Sequence, residues 1–367
     1  MRIAVDCRVL NKGLTGTGRF LQNILAKLPE IDKNNEYYLF TTKELNVDTD
    51  YYKIIKQNFW FPYKLFSPFW MNIVIPRFLK EYNIDIFISP NIILPFKKIG
   101  NVKYITVIHD VIPFIYKEYY SFSYRTYLKI VVPRALKVAD KVLTVSEHSK
   151  KDIERLFDFP SYKIDVTYNT VSECFYPMNY SSAEPKVKLE LPEKYLLYVG
   201  AIEKRKNILG LINIVDSLWS KGYNLPLVIV GKANYGYEEI RKKLDKRKER
   251  ILIINYVSDE ELNYLYNKAF IFLFPSFYEG FGIPPLEAMK CGLPVITSNT
   301  SSLPEVVGDG GFIIDPNNVN AFVDTIISLL KDNDRYFTMK RKALEQADKF
   351  NIHNVTHKFF TVINELK

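Results

Sequence analysis

The chain has 367 residues, more than one ordinary hydrophobic core accommodates, so two domains of moderate size are expected. Its 3 cysteines are too few and too scattered for a disulfide or zinc framework, and no apolar run approaches the roughly 20 residues of a membrane-spanning helix. Net charge is +9 and unevenly placed: residues 1–172 hold 25 Lys and Arg against 17 Asp and Glu, the remainder 25 against 24. A basic first half suits an anionic partner, whether nucleic acid, a phospholipid surface or a phosphorylated substrate. The opening MRIAVDCRV mixes acid and base within eight positions, unlike a signal peptide, so a reducing cytoplasm is the expected location.

In chain order, RIAVD predicts a short strand, and TGTGR (15–19) a glycine-bearing loop before the helical stripe of FLQNILAKL. The first half continues with strands over IDIFIS (84–89), KYITVIH (103–109), KVLTVS (141–146) and KIDVTYN (163–169). EHSKKDIERLF reads as a helix, completing the βαβ alternation of a parallel sheet. Between them, residues 51–80 carry five Lys or Arg, ten aromatic residues and no acid, the composition of an interfacial segment on anionic headgroups. Over residues 174–194 the periodicity lapses and Pro, Ser and charges collect, which predicts an interdomain linker. The alternation restarts with KYLLYVG, LPLVIVG, ILIINYV, AFIFLFP, LPVITS and GGFIID, and ends in helical stretches over about 318–349 and 353–366.

Polar residues collect where these strands end, the edge at which open α/β sheets bind ligands. Gly16 and Gly18 permit close backbone approach near a helix start, which favours an anion. His109 ends the KYITVIH strand. In LYVGAIEKRKN, Gly200 ends a strand and Arg205 and Lys206 follow it, adjacent cations suited to a diphosphate. In PSFYEGFGIPPLEA, Glu279, Gly280, Phe281 and Gly282 occupy a loop after a buried strand, with Ile283, Pro284, Pro285 and Glu287 opening the next helix. The run RKKLDKRKER reads as a solvated helix face. HNVTH lacks the glutamate of a zinc-protease helix and reads as structural.

Together these pieces resemble the retaining glycosyltransferases of family 4, with its GT-B fold, and most closely its mannosyltransferase-like branch. The resemblance rests on GTGR, HDVIP, VSEHSKKDI, VGAIEKRKN, NYVSDEEL, the E-x7-E element from Glu279 to Glu287, and GLPVITSNTSSLPEVVGDGG. It implies an α/β GT-B architecture of two doubly wound Rossmann-like domains facing across a cleft. Residues 1–173 would form the acceptor domain, 174–194 the linker and 195–350 the donor domain, with a C-terminal helix (about 351–367) crossing back to the first. It further implies hexose transfer from a nucleoside-diphosphate sugar, GDP-mannose or else a UDP-sugar, to a glycan or polyprenyl-diphosphate-linked glycan in bacterial polysaccharide synthesis.

Carried over by the resemblance, Glu287 would hold the donor ribose and Glu279 the transferred sugar. Arg205 and Lys206 would neutralise the leaving diphosphate, and the amides of Phe281, Gly282 and Ile283 would orient sugar and phosphates. His109 would meet the sugar from the other domain, Gly16, Gly18, Gly200 and Gly280 would give backbone access, and Val257 would lie near the base. No metal or other cofactor is expected, nor nucleic acid. Peripheral attachment to an anionic cytosolic membrane face is expected through residues 51–80. Ala201, where many members carry Arg, shifts more of the charge to Arg205 and Lys206; Thr170 and Ile352 also depart from the usual pattern. A nucleotide-sugar-binding protein without catalysis, and a GT-B epimerase or phosphorylase, are the alternatives.

Overall fold

The structure, a computed structural model, describes residues 1–12, 16–57, 67–178, 190–234 and 236–367. The chain divides into two units, Met1–Thr170 with Ile352–Lys367, and Val171–Asn351. The first contains β1 (Arg2–Asp6), β2 (Glu36–Thr41), β3 (Tyr52–Lys56), β4 (Ile86–Ser89), β5 (Lys103–Ile108), β6 (Lys141–Thr144) and β7 (Ile164–Val166). The second contains β8 (Leu196–Val199), β9 (Leu227–Val230), β10 (Ile251–Ile254), β11 (Ile271–Phe274), β12 (Val295–Ser298) and β13 (Gly311–Ile314). Strand orders are β3-β2-β1-β4-β5-β6-β7 and β10-β9-β8-β11-β12-β13, and every pair is parallel. Both are doubly wound sheets whose order reverses beside the first strand, between β1 and β4 and between β8 and β11. A crevice opens at the carboxyl ends of strands where the winding reverses.

The strand sequences explain their placement. LLYV, LVIV and IFLF are buried at every position, as strands covered on both faces must be. The expected strands all form, and two more join them. EYYLFT becomes β2 and YKIIK the edge strand β3, in which only Tyr52 is buried and both lysines are exposed. The expected helix over about 318–349 is two helices, Val319–Lys331 and Asn333–Asp348. Asp332 accepts a hydrogen bond from Arg335 N–H and caps the second.

Three expectations change here. Tyr52 is buried on β3, and Trp70, Met71, Ile75 and Phe78 lie in the core of the first unit, so these residues of the 51–80 segment are packed inside. Its cations Lys53 and Lys56 pair with Glu36, at 2.6 Å, and with Glu44, so neither is left as an unmatched surface charge. The rest of that segment, 58–66 with Lys64, lies outside the described residues. Gly16 and Gly18 belong to the first turn of the Gly16–Ile31 helix, so they contribute a helix start stripped of side chains rather than a loop. The expected linker is in part packed structure: Phe175 is fully buried, and Tyr176 and Met178 N–H donate to Asn263 and Asn267. Residues 179–189 lie outside the described residues.

One close approach shapes the second sheet's edge. Gly231 follows β9 with φ +159°, and a Cβ there would meet the carbonyl oxygen of Gly200 at 1.9 Å. The loops beyond stay in register: Ile202 N–H donates to Lys232 O at 2.9 Å and Asn234 N–H to Ile202 O at 3.1 Å. This contact lays the segment after β8 beside the segment after β9.

Candidate functional site

The residues at the β8/β11 reversal form a closed network of four charges. Glu279 follows β11 and is 8% exposed. Its carboxylate accepts from Lys206 Nζ at 2.8 Å and from Ser276 Oγ at 2.7 Å, with Arg205 Nη1 at 3.4 Å. Burial raises the Glu279 pKa, but Lys206 and Arg205 outweigh it, and the carboxyl is held below the usual carboxylate range. Arg205 also donates to Tyr278 O and, at 2.5 Å, to Glu203 Oε1. Glu203 accepts in turn from Asn234 Nδ2 at 2.8 Å, a contact made possible by the register of the two loops. Lys206 lies 5.1 Å from the centroid of the Phe274 ring, a cation over the last residue of β11.

The loop from Glu279 to Gly282 is held from the far side by two serines. Glu279 N–H donates to Ser301 Oγ at 2.8 Å, and Ser301 adopts a left-handed φ of 52°. Ser302 Oγ donates to Glu279 O at 3.0 Å and Phe281 O at 2.7 Å. Gly282 caps the Ile283–Lys290 helix at φ +116°, a conformation that a side chain would strain. Pro284 and Pro285 carry no N–H, so the donors this helix start presents are the amides of Phe281, Gly282 and Ile283. Phe281 itself is buried edge-on to Phe350 at 5.5 Å.

Glu287, on the same helix, is 4% exposed and accepts from Tyr266 Oη at 2.8 Å. Tyr266 belongs to the Asp259–Lys268 helix, so the carboxylate also ties two helices together. Val257 is half-buried directly before that helix, which a capping box between Ser258 and Glu261 opens. Of the residues expected from sequence, Gly200, Arg205, Lys206, Glu279, Gly280, Phe281, Gly282 and Ile283 gather at this reversal. Glu287 enters it from within the helix packing. Glu203, Ser276, Ser301, Asn234 and Tyr266 carry no sequence signal of their own; only Glu203, adjoining the cations, could have been found.

In the first unit His109 follows β5, one strand beyond the β1/β4 reversal. Its Nε2 donates to Pro90 O at 3.3 Å, beyond β4, and Phe20 meets its ring edge-on at 5.2 Å. Burial lowers its pKa to about 4, against a smaller opposing effect of the Pro90 carbonyl, so near neutral pH the ring is uncharged. Gly16 and Gly18 open the helix that carries Phe20. Among the described residues no group of three or more His, Cys, Asp or Glu side chains is placed to hold a metal ion.

Two sugar-transfer signatures cover this frame: the profile of Glycosyltransferase Family 4 matches residues 14–173, and that of Glycosyl transferases group 1 matches 181–347. The O-antigen chain mannosyltransferase B of Escherichia coli is 36% identical over 283 residues, 76% of this chain and 74% of that protein. The O-antigen chain mannosyltransferase RfbU of Salmonella typhimurium is 32% identical over 220 residues, 60% of this chain and 58% of that protein. Sucrose-phosphate synthase from Thermosynechococcus elongatus superposes with a TM-score of 0.76 at 19% identity, covering 100% of this chain and 99% of that one. The fold is GT-B, and the chain belongs to the family 4 glycosyltransferases.

Two outcomes follow from the site. Glu203→Ala removes a buried ionic partner of Arg205, and stability should fall by about 3 kcal/mol in urea unfolding. Glu203→Gln, which keeps an acceptor, should lose markedly less; equal losses would mean that the charge of Glu203, and not its acceptor, carries the whole effect. For His109 the folded pKa lies below the usual value of 6.5, so on acidification the unfolded chain takes up the proton first. Stability should therefore decline from pH 6.5 down to about 4, by at most about 1.4 kcal/mol per pH unit from this group. His109→Asn should flatten the urea midpoint over that window relative to the parent chain.

Proposed function

We propose that this chain moves a hexose, mannose as the first expectation, from a nucleoside-diphosphate sugar to a glycan acceptor with retention at the anomeric carbon. The observation that carries the reading is the Glu203–Arg205–Lys206–Glu279 network at the winding reversal of the second sheet. Arg205 and Lys206 place two positive groups where a departing diphosphate needs its charge met, and the amides of Phe281, Gly282 and Ile283 add donors there. Glu279, kept anionic, faces a sugar hydroxyl, and Glu287 accepts from the donor ribose. In the transfer the bond from the anomeric carbon to the diphosphate oxygen breaks, the bond to the acceptor oxygen forms on the same face, and the acceptor's hydroxyl proton passes to the departing diphosphate oxygen. Similarity to the two O-antigen chain mannosyltransferases supports mannose, hence GDP-mannose ahead of a UDP-sugar, with Val257 near the base. It also supports an acceptor from bacterial polysaccharide synthesis, for which a glycan or a polyprenyl-diphosphate-linked glycan is the expectation. His109, neutral, offers a sugar hydroxyl a hydrogen-bond partner from the first unit.

Calorimetric titration with GDP and UDP, joined to turnover on GDP-mannose, tests the assignment. Glu279→Ala should lower turnover by about two orders of magnitude or more while nucleotide affinity holds. Glu287→Gln should weaken nucleotide binding by about 1.5–3 kcal/mol. Unchanged nucleotide affinity in the Glu287 variant removes the ribose role, and tighter binding of UDP than GDP overturns the choice of donor.

Metal independence is the second expectation, because side-chain cations meet the leaving-group charge. Turnover in excess EDTA should stay close to that of the untreated protein. Loss of activity that Mg²⁺ or Mn²⁺ restores would contradict it.

A further inference from the structure

Two helices of the second unit meet through a tyrosine and a carboxylate. The Asp259–Lys268 helix buries Asn263 and Tyr266, and the Ile283–Lys290 helix buries Glu287, with Cys291 as its cap. Residues three or four apart share a helix face, so the first pair opposes the second. Tyr266 Oη donates to Glu287 Oε2 at 2.8 Å, and Cys291 Sγ donates to Asn263 Oδ1 at 3.2 Å. None of the four is more than 4% exposed. A buried hydroxyl needs a partner. Tyr195, also buried, finds one in the backbone carbonyl of Leu265 at 2.8 Å, whereas Tyr266 finds it in the carboxylate expected on the donor ribose.

The Tyr266 ring is wedged. Phe272, on β11, meets it at 5.7 Å with an interplanar angle of 63°, and Phe175 meets it at 5.9 Å and 72°. Both phenylalanines are fully buried. Phe175 is anchored through its neighbour Tyr176, whose N–H donates to Asn263 Oδ1 and whose carbonyl accepts from Asn267 Nδ2 at 3.0 Å. Asn263 and Asn267 both belong to the helix of Tyr266. With its ring fixed by packing, the phenol oxygen has one position. A glutamate is different: its last torsion is broad and roughly two-fold, and packing on the apolar stem leaves it unset. The hydrogen bond at Oε2 sets it.

We propose that Tyr266 is a positioning residue that turns the Glu287 carboxylate to accept both ribose hydroxyls of the donor. It thereby makes the second unit selective for ribonucleoside diphosphates over their deoxy counterparts. The inference rests on the reading that Glu287 binds the ribose and carries that reading further. A carboxylate has about four lone-pair sites, enough for Tyr266 at one and a vicinal pair of hydroxyls at others. Tyr266 is fully buried and acts only through Glu287. A nucleotide without those hydroxyls leaves a fixed, buried acceptor unmatched, and a site built to bind a hydroxyl rejects the analogue that lacks it. A loosely held carboxylate would turn to another partner, and the penalty would shrink. Nothing in this depends on which sugar is moved.

Calorimetric titration of the full chain with GDP, 2′,3′-dideoxy-GDP and inorganic pyrophosphate tests the proposal. The parent chain should bind GDP about tenfold or more tighter than the dideoxy nucleotide. Tyr266→Phe, which removes one oxygen, should erase most of that ratio by weakening GDP alone, with dideoxy-GDP and pyrophosphate unchanged. On GDP-mannose its KM should rise while kcat holds, since the ribose contact is the same before and during transfer. Added to Glu287→Gln, the Tyr266 change should cost little further GDP affinity. Cys291→Ala loosens the same pair of helices, so its urea midpoint should fall while the GDP preference stays. An unchanged ratio in Tyr266→Phe overturns the proposal, as does equal loss of dideoxy-GDP binding or a collapse of the ratio in Cys291→Ala. Equal binding of the two nucleotides by the parent chain would instead remove the ribose role of Glu287, and this proposal with it. Should UDP bind tighter than GDP, the UDP pair gives the same readout.

Discussion

A carboxylate buried as an anion needs cations at contact distance, and the second unit is organised around meeting that need for Glu279. Burial alone would push its proton affinity up. Lys206 and Arg205 reverse the effect, and both come from the loop after β8, some seventy residues earlier in the chain. The pairing is possible because β8 and β11 are hydrogen-bonded neighbours, so the segments leaving them emerge side by side. Glu203 and Asn234 complete the arrangement from the same loop and from the one after β9. Two acids and two bases balance, and a buried cluster of this kind keeps its geometry as long as every member is present. These side chains are therefore held by one another as much as by the backbone.

The same topology serves the first unit with different chemistry. There the reversal between β1 and β4 brings Pro90, Phe20 and His109 together, and the product is a neutral imidazole in an apolar setting. One half of the chain thus offers a charged, donor-rich edge, and the other an uncharged hydrogen-bonding group.

Much of this was legible before any coordinates. LLYV, LVIV and IFLF are short, continuous and apolar, and such runs have few alternatives to a buried strand. EYYLFT and YKIIK were less so, since β3 is an edge strand with two exposed lysines and a single buried residue. The aromatic richness of residues 51–80 read as an interface because composition cannot distinguish a ring turned inward from one turned out; Trp70 and Phe78 turn inward. At the site, Arg205, Lys206, Glu279 and Glu287 stand in motifs with recognisable spacing. Ser276, Asn234 and Tyr266 are ordinary residues made relevant only by strand order, which brings distant loops within hydrogen-bond reach. The dual position of Glu287, tied to Tyr266 as well as near the helix start, could be seen only in the packing.

The last helix, Ile352–Asn364, belongs to the first unit although all of the second unit precedes it in the chain. Its Phe359 meets Phe20 at 6.5 Å, Phe20 meets His109, and Glu365 just beyond it pairs with Lys141 at 3.1 Å. During synthesis the ribosome therefore releases the whole of the second unit before the first receives its final buttress. The unit that carries His109 is begun before the other and completed after it.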